Sequence, residues 1–144
     1  MEKKLDANLT VESNIKNWVQ LKQLIESTLI GHKIKKNISN KVILSCEEIF
    51  SNICFYSYKN VGNVFFEIFC CDKFIKVSFI DSGVEFDPTK FEHYRSTEKI
   101  KNRIPGGLGI FIAKQNVDDM KYLRKDNKNI LYMIKNLGSD DFEQ

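Results

Sequence analysis

Between Phe74 and Asp81 the apolar residues Ile75, Val77 and Phe79 fall on alternate positions, and the alternation ends on a carboxylate. A period of two belongs to a strand with one buried face. Asp81 shares the parity of the apolar residues, so the strand carries its charge to the side of the core stripe. A buried carboxylate is costly unless donors meet it. Ser82 and Gly83 follow at once and turn the chain. Two readings stay open from this pattern. Asp81 bends out and caps the turn in solvent, or it accepts from a buried ligand donor such as the exocyclic amine of adenine.

The flanking segments place this strand in an α+β fold. Val61 to Cys71 reads as its hairpin partner, joined through a tight turn at Asp72-Lys73. Residues 4–11 alternate roughly and suit an edge strand. Ser13 is placed to cap a helix whose stripe is Ile15, Trp18, Leu21, Ile25 and Leu29, with Gly31 just past its end. A second helix is predicted from about Ser39 to Tyr58, with Val42, Cys46, Ile49 and Ile53 on its apolar side. Gly107 to Asn116 predicts a third. Met120 to Arg124 and Ile130 to Asn136 predict a closing hairpin around Asp126-Asn127-Lys128-Asn129. These elements describe a two-layer sandwich: a mixed, mostly antiparallel sheet with helices on one face.

At 144 residues the chain is the size of one domain, and no linker or repeat divides it. The net charge of +3 is too mild to argue for nucleic acid, and Lys33, Lys35 and Lys36 read as solvated residues at a helix start. No apolar run reaches the ~20 residues of a membrane span. The N-terminus has no apolar segment of the secretory kind, so the expectation is a cytoplasmic protein. Cys46, Cys54, Cys70 and Cys71 make no C-x-x-C pair, and only two histidines accompany them. They read as small buried hydrophobes rather than a zinc site.

Glu48 and Asn52 stand four apart on the second helix, neighbours on its surface. The wheel sets them opposite the apolar stripe, where a solvated polar face is the simplest account. The chemical account is more specific. An amide oxygen suits Mg²⁺, and a carboxylate one turn away can take a proton from a hydroxyl attacking a phosphate. Pro105-Gly106-Gly107-Leu108-Gly109 opens the third helix. Free N–H groups and the helix dipole there make a cradle for an anion. It is neither a Walker A loop nor the dinucleotide fingerprint. Between Gly83 and Pro105 lie about twenty residues without a period, a length that marks a functional lid or a disordered loop. Arg95, Lys99, Lys101 and Arg103 in that stretch could reach phosphate oxygens.

Taken in order, these parts resemble the ATPases of the gyrase, histidine kinase and mismatch-repair superfamily, built on the Bergerat fold. Glu48-Ile49-Phe50-Ser51-Asn52 resembles its N box, Asp81-Ser82-Gly83 its first glycine box and Gly107-Leu108-Gly109 its second. Within it, Val84-Glu85-Phe86-Asp87-Pro88 after the Asp-x-Gly, and Gly106-Gly107-Leu108-Gly109-Ile110, resemble the anti-sigma-factor serine/threonine kinases. The resemblance runs from Leu9 to Lys135. It implies that Asn52 coordinates Mg²⁺, Glu48 is the general base and Asp81 accepts from the adenine amine. Gly83, Gly106, Gly107, Leu108 and Gly109 would admit the ATP phosphates under a lid at about 84–105. It further implies phosphorylation of an anti-sigma-factor antagonist on serine, binding of a sigma factor and a homodimer. A catalytically weak module that binds ATP and sequesters its partner is the alternative. Two departures stand out. Tyr56 takes a place where the family often has His or Ala. Asn129-Ile130-Leu131 stands where a Thr near the phosphates is usual, which removes a possible hydroxyl.

Overall fold

The sheet is built outward from a central hairpin. In the computed structural model, which describes residues 6–90 and 107–144 (of Gly107 and Leu108 the backbone alone), β2 (Asn63–Cys70) and β3 (Phe74–Asp81) pair antiparallel with Phe66 opposite Phe79. Their rings meet at 5.0 Å between centroids. Val64, Phe66, Ile68 and Cys70 on one strand and Ile75, Val77 and Phe79 on the other are buried, as the alternation requires. β1 (Ala7–Glu12) pairs with β2, and β5 (Lys128–Asn136) pairs with β3 and with β4 (Asp119–Lys125). The order is β1-β2-β3-β5-β4, and every pairing among the described strands is antiparallel.

The helices α1 (Trp18–Gly31), α2 (Lys36–Asn52) and α3 (Gly107–Asn116) cover the apolar side of this sheet. Trp18, Leu21, Ile25 and Leu29 of α1 are buried, and Trp18 stacks on Phe50 of α2 at 6.3 Å. Burying a side chain of this size is worth roughly 1.5–3 kcal/mol, so these stripes hold the two layers together.

Several element ends differ from the sequence expectation. Ser13 does not cap α1; its Oγ accepts from Gly62 N at 3.0 Å and joins the end of β1 to the start of β2. Asn14 instead caps a short 3-10 turn, Ile15–Asn17, accepting from Lys16 N. Ile15 therefore leaves the stripe and is exposed. Gly31 lies in the last turn of α1 rather than beyond it. α2 starts at Lys36 and gives way after Asn52 to a π-helical turn, Ile53–Ser57. The closing hairpin turns on two residues, not four. Asp126 and Asn127 both take positive φ (52° and 60°), which fits a tight hairpin turn matching the strand twist. Asn129 thereby enters β5 and stands opposite Asp81. Among the described residues no helix is long and apolar enough to cross a membrane.

Candidate functional site

Asp81 ends β3 with its side chain on the helix side, buried at 4% exposure. It does not bend out to solvent, although it does cap the turn that follows. Oδ1 accepts from Gly83 N at 2.9 Å and from Asn129 Nδ2 at 2.9 Å. Burial pushes this carboxyl above its ordinary range, while the bonds from Asn129 and Gly83 and the Arg124 guanidinium pull the other way. The Asn129 amide is itself fixed. Its second proton goes to Val84 O at 2.8 Å, and its Oδ1 accepts from the Tyr122 hydroxyl and from Arg124 Nη1. Arg124 also donates to Gly83 O at 2.8 Å, so β4 grips the turn after Asp81 from outside.

The same turn is held from the other side by the π-helical residues. Val84 N donates to Ser57 O at 2.7 Å, and a Cβ on Gly83 would lie 2.1 Å from that carbonyl oxygen. Only glycine permits this approach. Tyr58 adds a clamp, its hydroxyl accepting from Ser82 N at 2.6 Å and donating to Asn63 O at 2.8 Å. A π turn is rare and commonly sits at a functional site. Here it carries Ser57 to the turn while Asn52, five residues earlier, stays at the end of α2.

Asn52 is not on a solvated face. It is 7% exposed, and its Nδ2 is the buried side-chain atom left without a hydrogen-bond partner among the described residues. The side of α2 that carries Ser45 and Asn52 faces α3, where Ser45 Oγ donates to Ala113 O at 3.0 Å. Glu48 lies on this side too, half-buried, whereas Glu47 is exposed. A Cβ on Gly109 would come within 2.2 Å of Glu48 Oε2, so the missing side chain makes room for the carboxylate over the first turn of α3. Burial, with the neighbouring Glu47 second, pushes the Glu48 carboxyl up. A raised carboxyl is a stronger base than an ordinary one.

Asn52, Asp81 and Asn129 line one narrow cleft. Its apolar walls include Ile49, Ile53, Phe86, Ile110 and Leu131. A few convergent polar groups in an apolar cleft are the usual makeup of a small-molecule site. Tyr56 lies at 41% exposure with its ring 6.3 Å from Phe86, and it does not line the cavity.

The structure thus gathers Asn52 and Asp81 at the cavity, ties Gly83 to Asp81 through its N–H, and brings Glu48 to Gly109. Gly107, Leu108 and Gly109 form the first turn of α3. Gly106 and most of the lid, with Arg95, Lys99, Lys101 and Arg103, lie outside the described residues. Ser57, Tyr58, Tyr122 and Arg124 were not singled out in the sequence. Asn129 was, for the hydroxyl it lacks; its amide has a further place, in the Asp81 network. The signal for it was the register, since it faces Asp81 across the β3–β5 pair.

Known proteins share this fold. The family model of the histidine kinase-like ATPase domain matches residues 11–135. No curated protein sequence matches the chain. Among solved structures, the RsbU and RsbW domains of Rv1364c from Mycobacterium tuberculosis align with a TM-score of 0.65 at 11% identity. The alignment covers 96% of this chain and 35% of that one, so this chain spans about a third of its length. The mycobacterial sensor histidine kinase MprB aligns with a TM-score of 0.52 at 13% identity, over 89% of this chain and 97% of that one. At such identities the likeness is one of fold. With the matched segment reaching from the end of β1 almost to the end of β5, the chain belongs to the family of histidine kinase-like ATPase domains.

Proposed function

We propose that this ATPase-family domain is an ATP- and Mg²⁺-dependent protein serine/threonine kinase of the cytoplasm, which phosphorylates an anti-sigma-factor antagonist on serine and binds a sigma factor. The observation that carries the reading is the Glu48 carboxylate lying over Gly109 at the start of α3. A base at the place where a helix N-terminus favours phosphate is suited to proton transfer beside a phosphoryl group.

The residues fit the nucleotide and its cation. The Asn52 amide has a buried donor without a partner, and the same side chain turned about its last bond offers an oxygen instead. Asn52 would hold Mg²⁺, which supplies neutralisation of phosphate charge when bound. Asp81, with Oδ1 already engaged by Gly83 and Asn129, keeps acceptor capacity for the adenine amine. Glu48 takes the proton of the attacking serine hydroxyl as that oxygen bonds to the γ-phosphorus and the bond to ADP breaks. The RsbW domain in the similar Rv1364c structure is in keeping with this branch, and the likeness to MprB with the wider family.

The test is phosphate transfer from labelled ATP to a cognate antagonist protein. Wild type yields acid-stable phosphoserine, and Glu48→Gln slows it at least a hundredfold, the scale of lost general-base catalysis. Equal rates in Glu48→Gln would remove Glu48 from the role. An acid-labile product would place the domain with histidine kinases. ATP-dependent complex formation without a phosphoprotein would instead identify a sequestering module.

A further inference from the structure

A hydroxyl lies buried in the middle of α2, where a helix gains nothing from one. Serine inside a helix usually faces solvent or bonds back to its own preceding turn. Ser45 does neither. It is 0% exposed, and its Oγ crosses to α3 and donates to Ala113 O at 3.0 Å. Ile110 and Ala113, the fully buried residues described on α3, are apolar. Apolar packing is non-directional and lets one helix slide along another. A hydrogen bond has one donor, one acceptor and a narrow range of distance, so it sets the register.

That register reaches Glu48. Ser45 and Glu48 are three apart on α2, and Gly109 and Ala113 are four apart on α3, so each pair shares a helix side. Ser45 meets Ala113, and the Glu48 carboxylate lies where a Cβ on Gly109 would be. The two helices therefore run antiparallel, with two contacts about one turn, roughly 5.4 Å, apart. We infer that Ser45 is a positioning residue: its bond to Ala113 O holds α3 at the register in which Gly109 leaves the Glu48 carboxylate its place. The geometry stands by itself, while the consequence for catalysis rests on the kinase reading above. A slip of one residue would move Gly109 by about 1.5 Å along α2. A misplacement of about 1 Å can cost about a hundredfold in rate. Asp81 and Asn129 are paired within the sheet and would stay where they are.

Steady-state transfer from labelled ATP to a cognate antagonist protein tests this on the full chain. Ser45→Ala is expected to lower kcat about tenfold or more, with KM for ATP within about threefold of wild type, because Asp81 is undisturbed. Ser45→Cys, close in shape but a weak donor, falls between the two and guards against a variant that merely packs badly. In the Glu48→Gln background Ser45→Ala costs less than about twofold, since the group it positions is gone. A wild-type kcat in Ser45→Ala, with Glu48→Gln slow, overturns the inference and leaves the kinase reading standing. So does an equal loss in both backgrounds, which would mark a general effect on the fold. If Glu48→Gln is itself as fast as wild type, the kinase reading fails and crystals of Ser45→Ala decide the register. Gly109 displaced along α2 by about 1 Å or more then supports the hold of the hydroxyl on α3, and Gly109 in its place overturns it.

Discussion

Across 2.9 Å the Asn129 side chain donates to Asp81 Oδ1, and this bond ties the two middle strands together at the mouth of the cavity. Asn129 spends both amide protons here, on Asp81 and on Val84 O. Its oxygen is taken by Tyr122 and Arg124. The amide therefore cannot turn over without facing its oxygen to a carboxylate. Asn129→Ala removes a hydrogen bond to a charged group, worth about 1.5–3 kcal/mol, and leaves Asp81 free to rotate. ATP affinity is expected to fall about 10- to 100-fold by calorimetry, with a lower melting temperature. Unchanged affinity would mean that Asp81 needs no such support.

Gly109 has a different part. The Cβ that alanine adds would meet Glu48 Oε2 at 2.2 Å, and that atom is the end of a flexible side chain. The helix itself gains up to about 1 kcal/mol from the change, since glycine is a poor helix former. Gly109→Ala should thus keep or raise the melting temperature while displacing the carboxylate. The expected result is a loss of phosphate transfer of at least tenfold at unaltered stability. A variant as active as wild type would show that Glu48 does not act from this position.

How far the sequence foretold this site depends on which layer buries each residue. The parity of Ile75, Val77 and Phe79 placed Asp81 on the core side because one sheet face alone decides it. Asn52 was harder. The stripe on α2 marks the side against the sheet and α1, but α3 buries a second side, and a wheel shows one stripe only. Asn52 therefore read as solvated although it is buried. The π turn was not legible either: one more residue per turn leaves no mark in Ile53-Cys54-Phe55-Tyr56-Ser57. The two-residue hairpin turn could have been found. Asp126-Asn127 are residues that tolerate positive φ, and they set the register that makes Asn129 the partner of Asp81.

Acid should separate binding from folding at Asp81. Its carboxyl is held above the ordinary 3.8, chiefly by burial. The ionised form is the stronger acceptor for an amine, so ATP affinity should decline on acidification earlier than an ordinary aspartate would dictate. For stability the sign is reversed. A raised acid makes the ionised folded state costly at all pH values above the folded pKa, and the cost vanishes below the unfolded one. Asp81→Asn keeps an acceptor for Gly83 and Asn129 and removes that cost. The expected outcome at neutral pH is lost ATP binding with a raised melting temperature of the ligand-free protein. That gain should disappear as the pH falls below 3.8. A variant that melts earlier than wild type at neutral pH would show that the charge is stabilised rather than tolerated.

Gly83 is the position with the least room for change. A Cβ there would reach Ser57 O at 2.1 Å and Ser57 C at 2.6 Å, and both are backbone atoms. Unlike the Glu48 carboxylate, a backbone carbonyl cannot swing aside. Relief must come from moving the turn, which would strain Val84 N to Ser57 O and Arg124 to Gly83 O together. Crowding a packed site of this kind costs about 1–3 kcal/mol, and the two weakened bonds add roughly 0.5–1.5 kcal/mol each. Gly83→Ala is therefore expected to lower both the melting temperature and the ATP affinity, whereas Gly109→Ala lowers neither stability nor fold integrity. Thermal melts of the two variants, run with and without Mg-ATP, test the contrast directly. If Gly83→Ala melts with wild type and still gains stability from nucleotide, the π turn and the Asp81 turn are not joined as tightly as their spacing demands.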